Sequence, residues 1–154
     1  MLKIGITGNI GGGKTTVSKI FEVLGIPVFY ADDAAKKVMV EDDVLISALK
    51  QTFGTGSYFD DGILNRKHIA SIVFNDEAQL AKLNALVHPA VFRSFDNWVA
   101  KQHAPYVIKE AALLFESTSY KMCDYSVMVT APLELRITRV MQRDGFTRAE
   151  VESR

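Results

Sequence analysis

The stretch Gly8-Asn-Ile-Gly-Gly-Gly-Lys14-Thr15 has the spacing G-x-x-x-x-G-K-[ST] of a P-loop. A short apolar run that ends at Thr7 precedes this stretch and predicts a buried strand. Apolar residues then recur at helical spacing over residues 17–24, which predicts an amphipathic helix. This is the strand, loop and helix context in which the motif binds phosphate, so the sequence predicts an α/β fold.

The composition of the P-loop explains how it would bind a nucleotide. Glycines allow backbone N–H groups to turn inward around a phosphate, and the following helix adds the positive end of its dipole. Lys14 would reach the β- and γ-phosphates, and the Thr15 hydroxyl would ligate Mg²⁺. The alternative is a glycine-rich turn that only joins a strand to a helix. The predicted ATP-binding residues are Gly8, Asn9, Ile10, Gly11, Gly12, Gly13, Lys14, Thr15 and Thr16.

Charge and cysteine content narrow the class of protein. The 154 residues carry 18 basic and 18 acidic side chains, so the formal net charge is zero. The sequence has neither a basic excess nor a basic stripe, so it does not favour a nucleic-acid partner. We expect no membrane partner either. Cys123 is the single cysteine, which excludes an intrachain disulfide. With no secretory signal after Met1, we expect a cytoplasmic protein.

Further elements follow the P-loop unit. Gly25 is expected to end the first helix at its C′ position. Residues 27–30, 105–108 and 125–130 are predicted strands, so the parallel sheet has about four. Pro132 is predicted at position N1 of a late helix, and Thr147-Arg-Ala-Glu150 is predicted to be a capping box that opens another helix. The pattern indicates a three-layer α/β/α fold.

The segment between the second and third strands is mainly helical. Helices are expected over residues 33–40 and 43–53 and from Asn65 onward, and Pro89 is expected to kink or restart a later helix. We therefore predict one P-loop domain over residues 1–154 with a helical insertion over about 60–105.

Two acidic residues follow predicted strands. Asp32 comes just after the second strand, where a carboxylate could accept the proton of a phosphoryl acceptor. Alternatively, Asp32 is only the N-cap of a helix that begins at Asp33. Glu110 follows the third strand and could hold Mg²⁺ through water, or it could be an ordinary polar strand end.

Beyond the P-loop, segments along most of the chain carry a family resemblance. They are residues 4–14, Ala31-Asp32, Leu64-Asn-Arg66, Val73-Phe74, Leu83-Asn-Ala-Leu86, His88-Pro89, Leu113-Leu-Phe-Glu116 and Arg139-Val-Met-Gln-Arg143-Asp144. In their order and spacing they resemble the dephospho-CoA kinases, which transfer the γ-phosphoryl group of ATP to the ribose 3′-hydroxyl of dephospho-CoA.

The resemblance implies roles for particular residues. Asp32 would be the catalytic base, and ATP with Mg²⁺ would be the phosphoryl donor. The helical insertion, with Arg66, would help to form the dephospho-CoA site. His88 would have either a structural role, as a cap or packed core residue, or a role in the substrate site. Arg139 and Arg143 would belong to a lid over ATP that starts within residues 139–154, Arg139 acting in catalysis and Arg143 in ATP binding. The alternative for both arginines is a solvated helix face.

The sequence also departs from the family pattern. Tyr30 stands where the family usually has aspartate, and Ala112 stands where it usually has proline. The family normally continues beyond this point, so the lid and C-terminal region are expected to be incomplete. Another small-acceptor P-loop kinase, or a nucleotide-binding fragment without catalysis, remains an alternative. A GTPase is disfavoured because no N/T-K-x-D motif follows the P-loop. We expect a monomer or a weak homo-oligomer.

Overall fold

The computed structural model describes residues 1–153, which form two compact units. The first unit contains Met1–Phe29 and the chain from Gln102 onward, and the second contains Tyr30–Lys101. The strands are β1 Leu2–Thr7, β2 Val28–Tyr30, β3 Tyr106–Glu110 and β4 Tyr125–Met128. The α-helices are α1 Lys14–Val23, α2 Ala31–Glu41, α3 Asp43–Phe53, α4 Arg66–Val73, α5 Glu77–Val99, α6 Leu133–Asp144 and α7 Arg148–Glu152.

The strands form one four-stranded sheet in the order β2-β3-β1-β4, and β1 pairs in parallel with both β3 and β4. This confirms the predicted α/β class and the number of strands. Ile6, Val107 and Ile108 are buried, because central parallel strands are covered on both faces. From β1 the chain crosses to β2 at one edge of the sheet. After β3 it crosses past β1 to β4 at the other edge. The carboxyl ends of β1 and β3 are therefore the switch point at which ligands bind in such sheets.

Helix α1 ends as the sequence predicts. Gly25 has φ 81°, its N–H donates to the Glu22 carbonyl at 2.9 Å, and the Ile26 N–H donates to the Phe21 carbonyl at 3.0 Å. This pair of hydrogen bonds is a Schellman motif, in which a glycine adopts the left-handed backbone conformation.

The late helices contain one confirmed and one wrong prediction. Thr147 and Glu150 form the expected capping box at the start of α7. Pro132, however, is the N-cap of α6 rather than its first helical residue. Its ψ of 143° is not helical, so the helix begins one residue later. Ile137 and Val140 of α6 pack with Val151 of α7 in a buried cluster.

The second unit is built on α2 to α5. Buried side chains along α3, among them Leu45 and Leu49, and Phe95 of α5 contribute to its core. Helix α5 continues through Pro89, so the predicted restart of the helix there is wrong. Proline removes one helical N–H donor, while the burial of Ala90 and Val91 just beyond it keeps this part of the helix packed. Among residues 1–153, none of the helices has both the length and the apolar character that crossing a membrane requires.

Asp42 joins three elements of the second unit, and it is itself the C-cap of α2. Its carboxylate accepts the Leu45 N–H at 2.9 Å as the N-cap of α3, and it pairs with Arg93 of α5 at 2.7 Å. The N–H of Leu45 is the main cause of a lowered pKa for Asp42, burial opposes that shift, and Arg93 adds to it. The side chain is 21% exposed, so both interactions are partly shielded from water.

We expect Asp42→Ala to lower the free energy of unfolding by about 1–2 kcal/mol at pH 7, because it removes a cap and an ion pair. A carboxylate with a lowered folded-state pKa stabilises the fold above its unfolded-state pKa, and this stabilisation is lost as pH falls through the folded-state pKa. Urea unfolding should therefore show the full difference above the ordinary pKa of 3.8 and a smaller one in more acid solution.

Asp43→Ala is the matched control, since Asp43 is the exposed neighbour inside α3. It should change the free energy of unfolding by less than about 0.5 kcal/mol. Equal losses in the two variants would contradict the capping role of Asp42.

Candidate active site

The P-loop leaves β1 at Gly8 and runs into α1 at Lys14. Within it, the Gly12 N–H donates to the Asn9 carbonyl at 2.9 Å, which closes a tight turn. Gly13 is the N-cap of α1 in a left-handed conformation, with φ 99°. Since glycine has no side chain to cap the helix, the first N–H groups of α1 are free of side-chain caps. This is the arrangement that the predicted anion-binding end of the helix requires.

Neighbouring backbone explains why two loop positions must be glycine. A Cβ at Gly8 would lie 2.1 Å from the carbonyl oxygen of Val129, just after β4. A Cβ at Gly11 would lie 2.5 Å from the carbonyl oxygen of Arg136, and Gly11 also has φ 73°. The P-loop is thus held against the segment after β4 and against α6, and backbone atoms leave no room for a side chain.

Side-chain contacts also join the loop to α6. The Arg139 guanidinium donates through Nη1 to the Gly11 carbonyl at 3.3 Å. Ile10 packs on the buried cluster of α6 and α7. The structure therefore brings the predicted residue Arg139 to the loop, on the same helix whose backbone touches Gly11.

Arg143 has a different environment. Its Nε and Nη2 both bind the Asp144 carboxylate at 2.7 Å, and this contact raises the pKa of Arg143. The side chain is 62% exposed. In this structure Arg143 is therefore paired within α6 rather than with the P-loop.

Of the two predicted magnesium residues, Thr15 lies in the first turn of α1 and Glu110 is the last residue of β3. Glu110 ends β3 opposite Ile6 in the β1–β3 register, two residues before Gly8, and is only 7% exposed. The Thr7 hydroxyl donates to the Ala112 carbonyl at 3.2 Å and fixes the chain after Glu110 to the end of β1. No group of three His, Cys, Asp or Glu side chains suited to a metal occurs within residues 1–153. Thr15 and, through water, Glu110 stay the residues predicted to hold Mg²⁺.

Asp32 lies in the second unit, in the first turn of α2. The alternative interpretation made it the N-cap of a helix from Asp33, and this is wrong because α2 begins at Ala31 and Tyr30 is its N-cap. Asp33 pairs with Lys36 at 2.7 Å, whereas Asp32 is exposed. A capping role does not account for Asp32.

Arg66 and His88 also belong to the second unit. Arg66 is the exposed first residue of α4. His88 lies within α5, stacked on Phe92 with ring centroids 6.3 Å apart, and burial lowers its pKa. Its position is that of an imidazole packed within the helix bundle of the second unit.

Sequence reasoning did not assign Arg136 to the site. The available signal was its spacing, because residues three apart in a helix share a face and Arg139 was already a candidate. The sequence does not show that the Arg136 backbone touches Gly11.

Comparisons with known proteins show which family this chain resembles. The family profile described as dephospho-CoA kinase matches residues 2–154. The dephospho-CoA kinase of Salinibacter ruber is 39% identical, over 100% of this chain and 79% of the relative. That of Burkholderia lata is 37% identical, over 99% of this chain and 76% of the relative.

Solved structures show the same fold. A Thermus thermophilus protein superposes with a TM-score of 0.84 at 38% identity, covering 99% of this chain and 78% of the other. A dephospho-CoA kinase from Campylobacter jejuni has a TM-score of 0.65 at 24% identity, covering 98% and 77%. At that identity the second comparison supports the fold alone.

Gly11→Ala tests the contact between the P-loop and α6. We expect the Kd for ADP to rise at least about tenfold, because the added Cβ would collide with the Arg136 carbonyl and strain a positive φ. Isothermal titration calorimetry would measure the Kd.

The matched control is Gly25→Ala, which imposes a similar strain at φ 81° where nothing lies within 4 Å. It should cost about 1 kcal/mol of stability and leave the Kd for ADP within twofold. An unchanged Kd in Gly11→Ala would show that the close approach is not needed for binding.

Proposed function

This chain belongs to the dephospho-CoA kinase family, and we propose that it transfers the γ-phosphoryl group of ATP to the ribose 3′-hydroxyl of dephospho-CoA. It is an ATP-dependent kinase of coenzyme A biosynthesis. The observation that carries the proposal is the P-loop, whose glycines are fixed by backbone contacts in a chain that matches the family over residues 2–154.

Nucleotide binding would begin at the P-loop. Backbone N–H groups at the start of α1 donate to the phosphates, and Lys14 supplies positive charge to the β- and γ-phosphates. The Thr15 hydroxyl, with Glu110 through water, would hold Mg²⁺. When bound, the ion neutralises charge on the phosphate oxygens. Thr16 lies in the same first turn of α1 and completes the phosphate-binding segment.

Asp32 is our candidate for the base. Its carboxylate is exposed at the start of α2, and no cap role accounts for it. In this role it accepts the proton of the acceptor hydroxyl as the oxygen attacks the γ-phosphorus and the bond to the ADP oxygen breaks. Arg66 and His88 are proposed to belong to the dephospho-CoA region, within residues 60–105.

Cations of α6 are proposed to act on the donor side. Arg139 lies beside Gly11 and can offset negative charge on the phosphoryl oxygens during transfer. Arg143 would bind ATP after exchanging its partner Asp144 for phosphate. Residues 139–154 are proposed to start the lid. We further propose a cytoplasmic protein that is a monomer or a weak homo-oligomer.

An ADP-release assay with several acceptors tests the function directly. The protein is mixed with ATP, Mg²⁺ and dephospho-CoA, AMP or CMP, and ADP formation is followed by a coupled reaction. Turnover should depend on dephospho-CoA. Turnover with a nucleoside monophosphate instead would identify another small-acceptor kinase, and binding without turnover would identify a nucleotide-binding module.

Asp32→Asn tests the base. We expect kcat to fall by about 10²–10⁴, because the amide cannot accept the hydroxyl proton, while the Kd for ATP stays within twofold. Kinetics with dephospho-CoA and calorimetry with ATP would measure the two quantities separately.

Asp33→Asn is the control, since it removes the neighbouring charge that pairs with Lys36. Its kcat should remain within about threefold of the wild-type value. A large loss of ATP binding in Asp32→Asn, or equal losses of kcat in both variants, would refute Asp32 as the base.

A further inference from the structure

We propose that Arg136 binds the phosphate chain of the nucleotide, as a third cation beside Lys14 and Arg139. The inference rests on the proposed nucleotide binding and adds a residue to it. It does not depend on which acceptor the enzyme phosphorylates.

The first observation is the position of Arg136. Its carbonyl oxygen, carbonyl carbon and Cα would lie 2.5, 3.0 and 3.0 Å from a Cβ at Gly11. The three atoms nearest to that point therefore all belong to Arg136. One turn later, Arg139 donates to the Gly11 carbonyl at 3.3 Å. Residues three apart share a helix face, so both side chains start from the face that meets the P-loop.

The second observation is an unsatisfied buried donor. The Nε atom of Arg136 is buried and has no hydrogen-bond partner within residues 1–153. A guanidinium is always charged, and leaving one of its N–H groups buried without an acceptor costs stability. A fold tolerates this cost most readily when a ligand supplies the acceptor.

The neighbouring arginines all have acceptors. Arg148 binds both carboxylate oxygens of Glu134 at 2.7 and 2.8 Å, and Arg143 binds Asp144. Glu134, two residues before Arg136, is therefore already engaged. In the described part of α6 and α7, Arg136 and Arg139 have no carboxylate partner, and Arg139 has the Gly11 carbonyl as its acceptor instead.

Phosphate is the acceptor that fits these observations. The P-loop gathers N–H donors for an anion, and Arg136 is fixed against its apex by backbone contact. A planar guanidinium can give a phosphate two parallel hydrogen bonds. An oxygen of the nucleotide's phosphate chain would satisfy Nε and neutralise the charge in one contact.

Arg136→Met is the decisive variant, because it keeps an unbranched apolar chain and removes every donor. We expect the Kd values for ATP and for inorganic triphosphate to rise together by roughly 10- to 100-fold in calorimetry. The Tm without ligand should stay equal or rise, since an unsatisfied buried donor has been removed. The increase in Tm on adding ATP should become smaller.

Two further variants serve as controls. Arg136→Lys keeps the charge but not the planar fork, so its Kd for triphosphate should lie between those of the wild type and Arg136→Met. Lys121→Met removes one exposed positive charge from the turn that precedes β4. It should leave both Kd values within twofold.

Each remaining outcome overturns a defined claim. Unchanged Kd values in Arg136→Met would refute the phosphate contact. A loss of ATP affinity without a loss of triphosphate affinity would also refute it, since that pattern indicates a contact with the base or ribose. A lower Tm without ligand, with an unchanged Kd, would assign Arg136 a structural role only. If wild-type protein binds neither ligand, the proposed nucleotide site itself fails.

Discussion

The close approach of Gly11 to the Arg136 carbonyl is the contact on which the P-loop site depends. It leaves 2.5 Å for a Cβ, less than any side chain can use, so the loop and α6 can meet only because residue 11 is glycine. The same face of α6 then places Arg139 on the Gly11 carbonyl, and Ile10 enters the cluster formed by α6 and α7. Because these contacts share one short segment of loop, a shift of α6 would move the phosphate-binding backbone and the cations together. The proposed phosphate binding and the placement of positive charge therefore both depend on the position of α6 against the P-loop.

The motif and its periodicity were sufficient to predict the fold class, the four strands and the end of α1. The motif and the periodicity specify local conformation, which depends on residues adjacent in the sequence. Gly25 ends α1, for example, because it follows the last turn of the helix and adopts φ 81°. The errors concern choices that local rules leave open. Proline fits either the N-cap or N1 position, and only its ψ of 143° assigns Pro132 to the cap. Proline also disfavours a helix interior, yet buried Ala90 and Val91 follow Pro89 within a continuous α5.

The site residues that could be predicted from the sequence are, in the same way, those whose role depends on neighbours in the sequence. Residues of the P-loop could be named from spacing, because contiguous residues build the anion nest. Arg139 could be named from the family resemblance, and the structure adds the contact that explains its place. Arg136 could not be identified from the sequence, because its proposed role comes from a backbone contact with Gly11, which lies 125 positions earlier. The role of Asp32 stays a proposal, since the structure removes only the alternative capping role by beginning α2 at Ala31.

The arginines of α6 differ in the partners they would have to give up. Arg143 holds Asp144 in a bidentate pair that is 62% exposed on the arginine side, and exposed pairs contribute little because water screens them. Exchanging such a carboxylate for a phosphate is therefore inexpensive, since one anion replaces another in the same solvent. Arg139 holds a neutral carbonyl, which a phosphate oxygen can outcompete by charge. Arg136 has nothing to give up at Nε, so phosphate binding there relieves an existing cost instead of breaking a contact. On these grounds the residue that touches the P-loop through its backbone is also the one whose side chain gains most from a bound nucleotide.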